Sequence, residues 1–408
     1  MAPSSTMSSQ RVWFVLIAGC LIAMIGFGVR SAFGLFLEPI TLDKGWSRET
    51  FAIAMAIQNL LWGIGVPIAG ALADKHGPVR VISLGAVLYA IGVYGLAISD
   101  TASMLHLTGG LITGLGIAFS AFSLAMAAMA KVVKAENRAL AMGLGTAAGS
   151  LGQVVFSPLA QAAISEHGWQ FALYAMAGSV LLMIPLAMCL PKADGGGQQA
   201  SAEQQNLSSA IREAFNHRGY VLLTIGFFVC GFHVAFIGVH FPTYVKDLGL
   251  DAKVGAFSLS LIGLFNIFGS LGSGWVGKRW SMKSGLSFIY VTRAVVIFWL
   301  LMADKTPTNI YIFAAMMGVL WLSTVPLTTG IVAQVFGIRY LATLFGFVFL
   351  SHQLGSFIGI WLGGWLFDHY GTYDAMWWAG IVLGLLAALV HWVIDERPLD
   401  RLKELSTG

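Results

Sequence analysis

The chain has 408 residues, 57% of them hydrophobic and 10% charged, with a formal net charge of +4. Soluble domains carry about 25% charge, so this composition excludes an ordinary soluble enzyme or binding module. The apolar residues fall in blocks near the ~20 residues that cross a bilayer, which predicts a polytopic, all-α membrane protein.

The polar, Ser-rich segment 1–10 reads as a cytoplasmic tail; it lacks the n-region and cleavage pattern of a signal peptide. The first span, 13–37, carries Arg30 about two-thirds of the way along. A cation at that depth costs roughly 3 kcal/mol or more, so it needs water, a partner or a ligand. Arg30 fits two readings: a ligand for a substrate carboxylate, whose geometry suits a guanidinium fork, or a structural Arg on helix carbonyls. Snorkelling to the surface competes with both. The second span, 48–73, holds Gln58 and Asn59 as polar candidates. Spans follow at 79–98 and 104–130. The fifth, 138–164, places Thr146, Ser150, Gln153 and Ser157 on one stripe, and the sixth is 169–190.

A polar linker, 191–218, divides the spans six and six, with a short surface helix expected at 207–216. The seventh span, 220–243, carries His233 and His240 on one face, and the eighth, 254–277, carries Asn266, Ser270 and Ser273. The ninth, 284–303, contains Arg293. The tenth, 309–333, puts Trp321, Thr324 and Thr328 on one face, with a kink expected at Pro326. An aromatic beside two hydroxyls suits a small organic acid, and equally suits plain packing. The eleventh, 340–366, has His352 and Gln353 at mid-span and close-packing glycines at Gly355, Gly359 and Gly363; the twelfth is 373–394. His233 and His352 are either satisfied buried residues or carriers of substrate or proton, since histidine alone here titrates near neutral pH. No Asp or Glu falls near mid-membrane.

Lys and Arg set the orientation. With both termini inside, sixteen lie in inner loops and tails, five in outer loops, and Arg30 and Arg293 within the membrane. The termini are therefore expected in the cytoplasm. The boundaries are a tail at 1–10, six-helix halves at 11–190 and 219–396, the cytoplasmic linker at 191–218 and a tail at 397–408. The halves echo each other: Arg138 and Gly145 recur as Arg339 and Gly346, and Ala177-Gly178 as Ala379-Gly380. A duplicated six-span unit is a transporter architecture. The three cysteines, Cys20, Cys189 and Cys230, offer neither a disulfide framework nor metal-ligand spacing, so no metal or cofactor is expected.

The loop after the second span reads Gly70-Ala71-Leu72-Ala73-Asp74-Lys75-His76-Gly77-Pro78-Val79-Arg80. It resembles the sequence between helices 2 and 3 of the major facilitator superfamily. Asp74 can cap a neighbouring helix, Lys75 and Arg80 hold the inner face, and Gly77-Pro78 forces the turn. Gly70, Asp74, Lys75, Gly77 and Arg80 are thus expected to form a conformational latch. Three further segments resemble the monocarboxylate porter group and its bacterial relatives. They are Gly28-Val29-Arg30-Ser31-Ala32-Phe33-Gly34-Leu35-Phe36, Trp46-Ser47-Arg48, and Asn137-Arg138-Ala139-Leu140-Ala141-Met142-Gly143. In that group a Lys occupies the place of Arg30. Where it often has Asp and Arg in helix 8, this chain has Asn266 and Ser270.

The resemblance implies twelve transmembrane helices in two halves, with helices 5 and 8 facing each other across the cavity and the third helix of each half peripheral. That favours a structural Arg293. It also implies symport of a small organic anion, a monocarboxylate, with a proton by alternating access, in a bacterial-type inner (plasma) membrane. Arg30, Asn59, Gln153, His233, Asn266, Trp321, Thr324, His352 and Gln353 are the expected substrate contacts, with His233 and His352 the proton candidates. The expected partners are the organic anion, the proton and the bilayer, with no nucleic acid. An exporter of hydrophobic compounds, a membrane enzyme and a non-transporting sensor are the alternatives. A missing mid-membrane carboxylate speaks against the first, and the absence of a convergent His/Asp or Cys cluster against the second.

Overall fold

The computed structural model describes residues 9–134, 137–191, 206–400 and 402. Parts of the expected tails and linker lie outside them, as do Lys192, Arg401 and Lys403 of the basic count. Among the described residues there is no β-strand, and twelve helical stretches are long and apolar enough to cross a membrane. Spans 1 to 6 are Gln10–Lys44, Arg48–His76, Pro78–Ala97, Ala102–Val132, Leu140–His167 and Trp169–Met188. Spans 7 to 12 are Arg218–Asp247, Ala252–Arg279, Met282–Met302, Pro307–Phe336, Leu341–Tyr370 and Asp374–Trp392. Large apolar side chains such as Phe288, Val295, Leu389 and Trp392 remain exposed on the outside, as a surface solvated by lipid tails requires.

Several helices run past the expected boundaries, because a helix that leaves the lipid still satisfies its own backbone. Span 1 continues through a 3-10 turn, Phe33–Phe36, into Leu37–Lys44, and stops where Gly45 turns left-handed. Spans 2 and 3 meet at Gly77 (φ 88°), with Pro78 at the first helical position. Only glycine adopts that backbone cheaply, and Pro pre-sets the next helix. The short helix expected in the linker is present as Leu207–Asn216, capped by the Asn206 side chain.

Two spans are interrupted over more than one residue. Span 4 is interrupted at Ser120 and Ala121, between helices Thr113–Phe119 and Phe122–Val132. Span 10 is interrupted between Pro307–Leu320 and Thr324–Phe336. The kink expected at Pro326 is therefore a break at residues 321–323, immediately before Thr324-Val325-Pro326, which places the proline in the first turn of a new helix. A Pro there lacks only an N–H that would have been an orphan.

The breaks occupy matching places in the two halves, and a second correspondence supports this. The Tyr89 hydroxyl of span 3 donates to the Gly26 carbonyl of span 1 at 3.3 Å. The Tyr290 hydroxyl of span 9 donates to the Gly226 carbonyl of span 7 at 3.0 Å.

Span 1 packs on span 5 and span 7 on span 11, while spans 2 and 11, and spans 5 and 8, join the halves. Glycine permits the closest crossings. A Cβ at Gly355 would strike the Phe228 carbonyl, and one at Gly231 the His352 carbonyl. Gly355→Val is therefore expected to destabilise the protein by about 1–3 kcal/mol or more, read as a lower melting temperature in detergent. Gly346→Ala, whose Cβ would meet nothing within 4 Å, should leave it unchanged.

With twelve spans, residues 10 and 402 share one face of the bundle, the terminal face. Among the described residues, side-chain bonds between the halves include a group at mid-depth and a group at the opposite face. At that opposite face Arg48 grips Asp247 through two nitrogens at 2.6 and 2.7 Å, and Lys246 pairs with Glu38.

Candidate functional site

Arg30 ends the first helical segment of span 1, Ser9–Ser31. Its Nη2 donates to Asn59 Oδ1 of span 2 at 2.7 Å, and its guanidinium lies 4.2 Å over the Trp62 ring. Asn59 and Trp62 stand one turn apart on the same face of span 2, so one helix supplies both partners. The side chain is half-buried and lines a small pocket together with Gly26, Phe27, Trp62, Tyr89, Ile117 and residues 120–122. The break in span 4 forms one wall of it. Among the described residues Arg30 has no carboxylate partner.

Asn59 carries the arrangement across to the other half. Its Nδ2 donates to the Met55 carbonyl at 2.9 Å, and its own carbonyl accepts from Gln353 Nε2 of span 11 at 2.8 Å. Since the Gln353 amide nitrogen donates there, Oε1 is left to accept. His352 Nδ1 lies 2.9 Å from that oxygen and must therefore carry the proton. In the neutral ring this leaves Nε2 as the acceptor. The ring is held between Phe349, stacked at 5.7 Å, and Phe227 at 5.0 Å. The Cys230 thiol faces it, and Cys230 Sγ is also 3.2 Å from Thr324 Oγ1. Four of the expected residues, Arg30, Asn59, Gln353 and His352, thus form one hydrogen-bonded chain from span 1 to span 11.

A second group gathers at the break in span 10. Asn266 Oδ1 accepts from the Leu322 N–H at 3.0 Å, and its Nδ2 donates to Ser150 Oγ of span 5 at 3.0 Å. Arg293, fully buried, donates through Nη2 to the carbonyls of Leu320 and Trp321, both at 2.6 Å. These are orphan carbonyls of an interrupted helix, and the guanidinium supplies the partner that lipid cannot. Trp321 is buried at the break, and Thr324 opens the helix beyond it. Gln153 is buried at the seam of spans 5 and 8, its stem against Gly263.

His233 lies apart from both groups. Its Nε2 donates to the Gly380 carbonyl of span 12 at 2.8 Å, and Nδ1 is buried without a partner. His240 belongs to the face opposite the termini: Nε2 donates to the Ile360 carbonyl, and Nδ1 accepts from the Tyr373 hydroxyl at 3.0 Å. That hydroxyl accepts in turn from Arg48 at 3.0 Å.

Of the expected latch, Gly77 makes the turn, while Asp74, Lys75 and Arg80 are exposed, and Asp74 has no ion-pair partner among the described residues. A Cβ at Gly70 would meet open space.

The sequence reading missed the aromatic wall, Phe27, Trp62 and Phe122. The i, i+3 spacing of Trp62 from Asn59 was the available signal for it. It also missed the Arg48–Asp247 pair, whose members are 199 residues apart.

Comparison with known proteins gives a consistent answer. The profile of the Major Facilitator Superfamily matches residues 19–359. Monocarboxylate transporter 13 of Bos taurus is 26% identical over 413 aligned residues, covering 97% of this chain and 93% of the relative. The uncharacterized MFS-type transporter YcxA of Bacillus subtilis is 24% identical, covering 95% of this chain and 96% of the relative. Among solved structures, a bacterial homolog of the human lysosomal transporter Spinster superposes with a TM-score of 0.77 at 14% identity, over 95% of this chain and 97% of that one.

Proposed function

Because the chain belongs to the major facilitator superfamily, we propose that it is a secondary active transporter of a small organic anion, a monocarboxylate, moved in symport with a proton. One observation carries this reading. Arg30 is presented to a cavity with an amide and an aromatic ring as its partners and with no described carboxylate to neutralise it. A charge kept in that position at such cost favours an anionic guest, and a carboxylate fits the guanidinium fork in bidentate fashion. The similarity to monocarboxylate transporter 13 supports the same class.

His352 is the residue we assign to the proton. Its Nδ1–H is committed to Gln353, so a second proton enters at Nε2, beside the Cys230 thiol. Gln353 and Asn59 link that event to Arg30. Carrying one proton with one carboxylate makes the step electroneutral, which avoids about 2.3 kcal/mol per charge per 100 mV of opposing potential. The Lys and Arg excess supports a cytoplasmic terminal face, and we assign the protein to the plasma membrane. With the opposite face closed by Arg48–Asp247 and Lys246–Glu38, the site would then communicate with the cytoplasm.

Uptake of labelled organic acids into proteoliposomes, with and without an inward proton gradient, tests the proposal. At least one monocarboxylate should enter saturably and faster with the gradient. If no acid is taken up, the reading is wrong. His352→Ala should abolish the acceleration by the gradient; a variant that keeps the wild-type pH dependence removes His352 from the coupling step.

A further inference from the structure

The cavity beside Arg30 is one-sided in its chemistry. Beyond the guanidinium its walls are Phe27, Trp62, Ile117 and Phe122, with Phe27 and Phe122 edge-to-face at 6.3 Å. The two hydroxyls at its edge are already engaged: Tyr89 donates to the Gly26 carbonyl, and Ser120 Oγ donates to the Gly116 carbonyl at 2.7 Å. No second cation lines it. A hydroxyl on the guest beyond the reach of Arg30 would face mostly apolar wall, at about 1–3 kcal/mol per buried group left unpaired. A second carboxylate would fare worse. A flat apolar body gains instead, by area burial and by edge or stacking contact with the rings.

The cavity is also lined entirely by spans 1 to 4. In the matching place of the other half the Tyr290–Gly226 bond is repeated, but Arg293 reaches in and takes the carbonyls of the broken helix for itself.

We propose that the transported monocarboxylate has a flat, apolar body and is held by the N-terminal half, its carboxylate on Arg30 and its body against Phe27, Trp62 and Phe122. This rests on the anion-transport reading and narrows it. It assigns Trp62 the role of selecting for the body of the substrate.

Calorimetric titration of the purified full-length protein in detergent, with phenylacetate, L-lactate and succinate as probes, tests it. Phenylacetate should bind at least tenfold more tightly than either of the others. Trp62→Ala and Phe122→Ala, each checked for an unchanged melting profile, should weaken phenylacetate at least tenfold and shrink its preference over lactate at least fivefold. Lactate or succinate binding as tightly as phenylacetate overturns the inference, as does an equal loss for all three probes in both variants. Arg30→Gln separates the two levels of the argument. If it weakens every probe while no apolar preference exists, only the present inference fails. If it weakens none, or if no probe binds the wild type, the anion reading fails with it.

Discussion

Arg30→Gln should reduce organic-acid uptake by at least thirtyfold while leaving the protein folded. The guanidinium makes one hydrogen bond, to Asn59, and otherwise faces the cavity and the Trp62 ring. Truncating one partner of a buried, hydrogen-bonded charge pair costs about 2–5 kcal/mol, or thirtyfold to several thousandfold. Glutamine keeps a donor toward Asn59, so the chain to Gln353 and His352 need not collapse. It also removes a desolvated charge, so the melting temperature should not fall. Arg30→Lys should retain part of the activity, because an ammonium is a point charge without the planar fork. Initial uptake rates in proteoliposomes decide the matter, and wild-type transport by Arg30→Gln would remove the residue from the site.

Arg48→Asp should be nearly as damaging, by a different route. Arg48 binds Asp247 through both terminal nitrogens, reaches the Tyr373 hydroxyl, and lies 3.5 Å over the Phe367 ring. Asp368 of span 11 accepts from the backbone N–H groups of Arg48 and Glu49 at 3.1 and 2.7 Å, so the start of span 2 is capped from the other half. Trp361 adds a bond to Glu49 at 2.9 Å. Asp at position 48 would face Asp247 and Asp368 together, replacing attraction with repulsion on both. The pair is partly exposed, so about 1–3 kcal/mol is a reasonable loss for the closed state. That is enough to depopulate it about fivefold to more than a hundredfold. A carrier that cannot close one face cannot complete its cycle, and uptake should drop at least tenfold. Asp247→Arg should fail similarly, and the double exchange Arg48→Asp with Asp247→Arg should recover part of the rate. Wild-type uptake by both single variants would show that the closure is not needed.

The twelve spans, the six-plus-six division and the buried candidates were legible in the sequence, because lipid leaves the backbone one local solution and hydropathy reports it directly. Arg30 was legible for the same reason, as a charge in the wrong solvent. The pairing of residues far apart was not. Nothing in the order of residues joins Asn59 to Gln353 across 294 positions. Nor did periodicity separate His352, which meets that chain, from His233, which turns to span 12. The broken helices were half-visible. Pro326 announced trouble in span 10, but the break in span 4 has no proline, only Gly116 packed on the backbone of Tyr89 and Gly85 packed on Phe119 and Ser120.

The twin tyrosine bonds have one more consequence. Arg30 stands four residues after Gly26, and Cys230 four residues after Gly226, so the two occupy matching positions in the two halves. On the proposed transport reading, this difference between the halves leaves one cation to meet one carboxylate.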